Sequence, residues 1–256
     1  MKPTQTSRTM VEVKEVSLRF KSVWALKPVS FTVNEGDVFC LVGSDGAGKS
    51  TLLRLIAGLI RPTEGKILAG GLDVTARKTD IKHLIGYMPQ RFGLYTDLTV
   101  EENMDFFLDV FEVPRHQRRK RKERYLSFSN LLPFADRPAG LLSGGMKQKL
   151  GLACVLSHEP KLLILDEPTN GVDPVSRSEF WEILFRMKAS GMTILVSTAY
   201  LDEAERCDQA ALLHRGVLLA LQTPAGLREG FDSLEEAVIS RIIKADKEPG
   251  HDVFIV

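Results

Sequence analysis

What this chain has little of narrows its function before any motif is read. Only three cysteines occur in 256 residues, Cys40, Cys154 and Cys207. They lie far apart and show no metal-ligand spacing, so they read as reduced core thiols of a cytosolic protein rather than as a disulfide framework. Charge of one sign is equally scarce: 34 Lys and Arg stand against 33 Asp and Glu, a formal net charge of +1. Bulk electrostatics therefore do not draw this chain to nucleic acid, and such a partner would need a local patch. No run approaches 18 uninterrupted apolar residues, and MKPTQTSRTM has no apolar segment after its charges. Neither a membrane span nor a secretory signal is expected. Internal repeats are absent too, and the length suits an α/β domain carrying one added lobe.

What is present centres on Gly43, Ser44, Asp45, Gly46, Ala47, Gly48, Lys49, Ser50 and Thr51, which fit G-x-x-x-x-G-K-[ST] directly after the apolar run Val38 to Val42. A buried strand delivers the chain, and the glycines let the backbone wrap so that successive N–H groups point at an anion. A helix starting near Gly48 aims its positive end at the same phosphates. Lys49 is placed to reach the β- and γ-phosphates, and the Ser50 hydroxyl to take a place on Mg²⁺. The apolar residues that follow, Leu52, Leu53, Leu55, Ile56 and Leu59, give that helix a buried face.

Taken in order, Val11 to Phe20 and Val29 to Val33 alternate, and read as antiparallel strands flanking the phosphate-loop strand. Phe20 stands where a ring can stack on an adenine or serve as an ordinary strand core residue. The segment Ile85 to Gln90 reads as a strand whose final glutamine can reach Mg²⁺ or water. From Thr99 to Gly140 the composition turns to helix formers, read as a helical lobe inserted into the α/β core. Its basic run, Arg115, Arg118, Arg119, Lys120, Arg121, Lys122 and Arg124, is most simply a solvated helix face, with lipid headgroups or RNA as the other readings. Ser143 can cap a helix whose first N–H groups are bared by Gly144 and Gly145, which makes a second anion site. One chain has no use for two helix ends aimed at one nucleotide, whereas two chains facing each other do. Leu162 to Leu165 read as a buried parallel strand ending in Asp166 and Glu167, which alternation sends in different directions. One is available to magnesium and one to a water, unless both are plain surface charges. Beyond Pro174 the pattern is helix, strand, helix, two short strands about Arg215 and Gly216, and a terminal amphipathic helix. The domain is bounded at residues 1–244. Residues 245–256 are read as a tail or the start of a linker, which points to a longer polypeptide or to pairing with a neighbour.

The ordered set GSDGAGKST, Gln90, LSGGM, LLILDEP and GVDP resembles the ATP-binding cassette (ABC) ATPases over nearly the whole chain. The resemblance implies a phosphate-loop NTPase core with an antiparallel β subdomain and an inserted helical lobe, binding ATP and Mg²⁺. By it Phe20 matches the adenine-stacking aromatic, Gln90 the glutamine that couples nucleotide to a transmembrane partner, and Asp166 the magnesium-organising aspartate. Glu167 matches the glutamate that polarises the attacking water. Ser143, Gly144 and Gly145 match the signature, and Asp173 the aspartate that crosses the interface between two cassettes. GYMPQRFGLYTDLTVEEN and LSGGMKQKL look like the exporter branch, in particular the YbhF-like group with two cassettes fused in one polypeptide. Two positions depart from the pattern: Ala199 stands where the family has a histidine on the γ-phosphate, and Asp45 where asparagine or serine is usual. Both bear on turnover rather than on the groups that hold ATP and Mg²⁺.

The expected function is thus the ATPase subunit, or N-terminal half, of a membrane exporter, peripheral on the cytoplasmic face of the inner membrane. Its expected partners are transmembrane subunits and a second cassette. A soluble cassette acting on the ribosome and a regulatory module that binds nucleotide without hydrolysing it are the alternatives.

Overall fold

The computed structural model describes residues 8–247. The chain opens with a hairpin, β1 (Thr9–Phe20) and β2 (Val23–Asn34), and then runs through β3 (Val38–Val42) into α1 (Lys49–Ile56). Two short strands, β4 (Glu64–Ala69) and β5 (Leu72–Asp73), precede α2 (Lys78–Leu84) and β6 (Ile85–Met88). Helices α3 (Val100–Val110), α4 (Arg115–Phe128) and α5 (Gly144–Leu156) follow. The chain then alternates through β7 (Leu162–Asp166), α6 (Pro174–Ala189), β8 (Thr193–Thr198), α7 (Leu201–Ala204), β9 (Gln209–His214) and β10 (Val217–Gln222). It closes with α8 (Pro224–Arg228) and α9 (Leu234–Lys247).

Two sheets result. One is antiparallel, in the order β2-β1-β4-β5; the other, β10-β9-β3-β8-β7-β6, is parallel except for the β10/β9 edge pair. Strand β3 is buried along its whole length, as a strand covered on both faces must be. Side-chain alternation divides it: Phe39 and Leu41 face a core shared with β1, β2 and α1, while Val38, Cys40 and Val42 face a second core formed with α3, α5 and α6. Phe31 of β2 stacks on Phe39 with ring centroids 5.1 Å apart, which pins the hairpin against the parallel sheet. Each such aliphatic or aromatic side chain buried contributes about 1.5–3 kcal/mol.

The hairpin does not flank the phosphate-loop strand. The neighbours of β3 are β8 and β9, with Val42 opposite Thr198 and Leu212. The reason is visible in the alternation itself: β1 and β2 each keep one solvated face, so they can only cover the parallel sheet as a separate layer. Likewise α1 ends at Ile56, and Leu59, expected on its buried face, lies beyond it and is exposed.

Between β6 and α5, helix α3 is started by a capping box, Thr99 Oγ1 accepting from the Glu102 N–H while Glu102 accepts from the Thr99 N–H. The basic run lies on α4, and four of its seven residues are paired inside the chain. Arg118 bonds Asp109, Lys122 holds Glu101 (2.6 Å) and Asp105 (2.9 Å), and Arg121 and Arg124 share Glu159. The break expected after Lys244 falls inside α9, where Ala245 is buried, so the helix carries the domain past that point. The apolar stretch Val253 to Val256, read as part of a tail, lies outside the described residues.

Candidate nucleotide site

At the end of β3 the chain must turn sharply into α1, and Gly48 makes the turn at φ +104°. A β-carbon there would also lie 3.2 Å from the Ala25 carbonyl. The turn projects Lys49 back across the loop. Its ammonium is almost wholly buried and donates to the carbonyls of Gly43 (2.7 Å) and Ser44 (3.0 Å), and it pairs with Glu167 Oε1 at 3.0 Å. Around this loop opens a cavity of about 810 Å³, lined by Phe20, Val23, Trp24, residues 45–51, Gln90, Glu167, Arg215 and Gly216. One end is apolar and aromatic, the other rich in backbone N–H groups and charge. That division suits a ligand with a flat ring at one end and phosphates at the other.

The two carboxylates after β7 take separate partners. Asp166 Oδ1 accepts from Ser50 Oγ (2.9 Å) and Ser197 Oγ (2.8 Å), with the Tyr87 hydroxyl 3.4 Å from Oδ2. Burial, and then the Asp166 charge, raise the Tyr87 pKa, which keeps that hydroxyl a donor. Glu167 leaves the strand in the left-handed region, φ +47°, and its N–H is held by Ser197. This break in strand geometry, rather than alternation, swings Glu167 onto Lys49, with Gln90 Nε2 (2.9 Å) and Asn170 Nδ2 (3.2 Å) donating to Oε2. Strand β6 ends at Met88, two residues short of the expected Gln90, and the irregular step between them is what carries Gln90 to Glu167.

A smaller cavity of about 140 Å³ adjoins the first and is lined by Asp45, Glu167, Thr169, Asn170, Thr198, Ala199 and Tyr200. Ser143, Gly144, Gly145 and Asp173 line neither cavity. Ser143 caps α5, accepting from the Met146 N–H at 3.2 Å, and Asp173 caps α6, accepting from the Ser176 N–H at 3.0 Å. That backbone N–H holds the Asp173 carboxyl below its usual pKa. The two helix starts are packed together: a β-carbon on Gly145 would meet the Ser176 side chain at 2.5 Å, so only glycine fits there.

The conserved-domain model described as ABC transporter matches residues 26–170, over half the chain and including both the phosphate loop and the acidic strand end. This chain belongs to the ABC transporter family. Among curated relatives it is 48% identical over 205 residues to the probable multidrug ABC transporter ATP-binding protein YbhF of Escherichia coli (strain K12), covering 80% of this chain but only 36% of that protein. It is 32% identical to the linearmycin resistance ATP-binding protein LnrL of Bacillus subtilis (strain 168), over 92% of this chain and 77% of the relative. A solved ATP-binding cassette, dimeric in a post-hydrolysis state with ADP and Pi, superposes with a TM-score of 0.75 at 27% identity, covering 84% of this chain and 98% of that one. The fold is that of the ABC ATPase domains, and the relatives include exporter ATP-binding proteins.

ABC ATPase domains bind ATP, and the large cavity beside the phosphate loop is the candidate place for it, with Phe20 and Trp24 at one end and Lys49 at the other. Trp24 and Arg215 line the cavity unannounced by any motif, since each sits in a hairpin whose approach to the loop depends on sheet packing. Tyr87 and Ser197 are brought to Asp166 only by the strand order β8-β7-β6. Among the described residues no cluster of three or more His, Cys, Asp or Glu could hold a metal, and no helix is long and apolar enough to cross a membrane.

Proposed function

We propose that this chain is the ATP-binding and ATP-hydrolysing cassette of a membrane exporter, working as one of two facing cassettes. The observation that carries the reading is that two helix N-termini aimed at anions lie in one chain yet do not share a cavity. The α5 start at Ser143 opens outward, beside the exposed side chains Leu141 (73%) and Val175 (69%). A second cassette placed head to tail buries those side chains and brings its own Ser143, Gly144 and Gly145 over the phosphates held at Lys49. Asp173, exposed on the same face, is then available to the partner.

Within one site the roles follow from the contacts. Lys49 and the loop amides neutralise the β- and γ-phosphates. Glu167, freed from Lys49 when phosphate takes its place, accepts a proton from the attacking water, with Gln90 and Asn170 fixing its orientation. Phe20 and Trp24 take the base. The oxygen donors Ser50 and Asp166, already hydrogen-bonded to each other, suit a Mg²⁺ held by few protein ligands plus phosphate oxygens, with Gln90 close by. A Mg²⁺ held there by Ser50 and Asp166 would supply neutralisation of phosphate charge.

Relatives that include a probable multidrug transporter ATP-binding protein support the exporter reading; in that reading the cassette drives transmembrane subunits and sits peripherally on the cytoplasmic face of the inner membrane. The chain spans about a third of YbhF, in keeping with a place in a longer polypeptide or beside a second cassette. A ribosomal role gains little, because four of the seven residues in the basic run that encouraged it, Arg118, Arg121, Lys122 and Arg124, are paired with neighbouring acids. Cysteines placed at Ser44 and Ser143 test the arrangement. Cross-linking between chains that requires ATP is expected, and cross-linking within one chain, or indifferent to ATP, would refute it.

A further inference from the structure

Behind the wall of the smaller cavity sits a carboxylate to which none of the steps above gives a role. Glu203, on α7, is 1% exposed. Its Oε1 accepts from Thr169 Oγ1 at 2.6 Å and from Arg177 Nε at 3.2 Å, and its Oε2 accepts from Thr198 Oγ1 at 2.6 Å. A charge this deep persists only where donors compensate it, and here all three donors come from different segments. Thr169 lies two residues beyond Glu167, in the loop leading to Asp173. Thr198 ends β8, directly before Ala199, and also accepts from the Tyr200 N–H at 3.0 Å. Arg177 is in the first turn of α6, the helix that Asp173 caps. Its guanidinium reaches Asp202 at 2.9 Å and lies 4.1 Å over the Tyr200 ring.

We infer that Glu203 is a positioning residue: it ties the loop carrying Glu167 to the loop carrying Ala199, and both to the helix start that faces the partner cassette. The inference rests on the ATPase reading above. Its consequence is that force on Asp173 reaches Glu167 through Arg177, Glu203 and Thr169, so a partner's docking sets the place of the base. Ground-state nucleotide contacts at Lys49 do not depend on this tie; the alignment of Glu167 with a water does.

The test uses the full chain and compares MgATP affinity, steady-state phosphate release and amide hydrogen exchange. Thr169→Val keeps the shape and removes one hydroxyl from Glu203. It should lower kcat roughly 10- to 100-fold, the cost of misplacing a reacting group by about 1 Å, with Kd within about threefold. Thr169→Ser, which keeps the hydroxyl, should retain the parental rate. Glu203→Leu also loses the bonds from Thr198 and Arg177, so it should cost at least as much as Thr169→Val, and adding Thr169→Val to it should cost no more than about twofold further, because the bond from Thr169 is then already broken. Amides 167–173 should exchange faster in both variants, and amides 198–200 in Glu203→Leu. Parental turnover in Thr169→Val, equal losses in kcat and affinity, or exchange unchanged at 167–173 in both variants would overturn the inference. Should Glu203→Leu not fold, the Val and Ser pair decides. A parental chain that binds ATP without hydrolysing it would refute the ATPase reading instead, and the exchange measurement would still decide whether Glu203 joins the loops.

Discussion

Glu167→Gln separates the two jobs the structure gives to one carboxylate. Glu167 holds Lys49 at 3.0 Å, both side chains almost wholly buried, and that pair must part before Lys49 can serve phosphate. A hydrogen bond between charged groups contributes about 1.5–3 kcal/mol net. The amide gives back part of this, and Lys49 keeps its bonds to the Gly43 and Ser44 carbonyls. The contact to be displaced is then weaker by about 1.4 kcal/mol, so ATP should bind roughly tenfold more tightly. The same change removes the base, which should slow hydrolysis by about 10²–10⁴. Folding stability should fall as well, because Lys49 keeps only neutral acceptors and loses its buried counter-charge. Titration calorimetry with MgATP, phosphate release and urea unfolding read the three quantities on the same preparation. Weaker binding in the variant would refute the idea that the Lys49–Glu167 pair competes with the ligand, and parental turnover would remove Glu167 as the base.

Lys49→Ala should abolish tight MgATP binding, and by leaving Glu167 buried without its cation should also cost about 3–5 kcal/mol of stability; unchanged affinity in a direct binding assay would refute the phosphate-loop assignment. Ala199→His should raise steady-state phosphate release at least tenfold, since one preorganised donor on the γ-phosphate is typically worth about 10²–10³ in rate; no gain despite normal dimerisation would put the deficit elsewhere, with Asp45 next. His158 should make stability pH-dependent. Its ring is stacked on Phe111, with Nε2 donating to the Ile85 carbonyl, and burial lowers its pKa from 6.5 to about 4. The folded state therefore favours the neutral ring. Its contribution is complete above about pH 6.5, falls as pH drops towards about 4 by up to about 3 kcal/mol, and then levels off. Urea midpoints of the parent and of His158→Asn across that window check this, and parallel curves would refute it.

Reading the sequence was enough for whatever depends on local chemistry at fixed spacing. The phosphate loop from Gly43 to Thr51 is one such case, because glycine torsions, a following helix and a lysine at the right step are properties of a contiguous segment. The Ser143 cap, the acidic strand end and the helical character from Thr99 onward are others. The tertiary structure alone decided what lies beside what. Alternation in β1 and β2 announced strands, but nothing in a period of two says which strand is a neighbour, and both entered a separate layer. Strand order brought Tyr87 and Ser197 to Asp166, and hairpin packing brought Trp24 and Arg215 to the cavity. The left-handed turn at Glu167, which sets that carboxylate on Lys49, is sustained by Ser197, 30 residues away in the chain. Hydrogen bonds and burial across such separations are set by the packing of whole elements, and so are invisible to any window that slides along the chain.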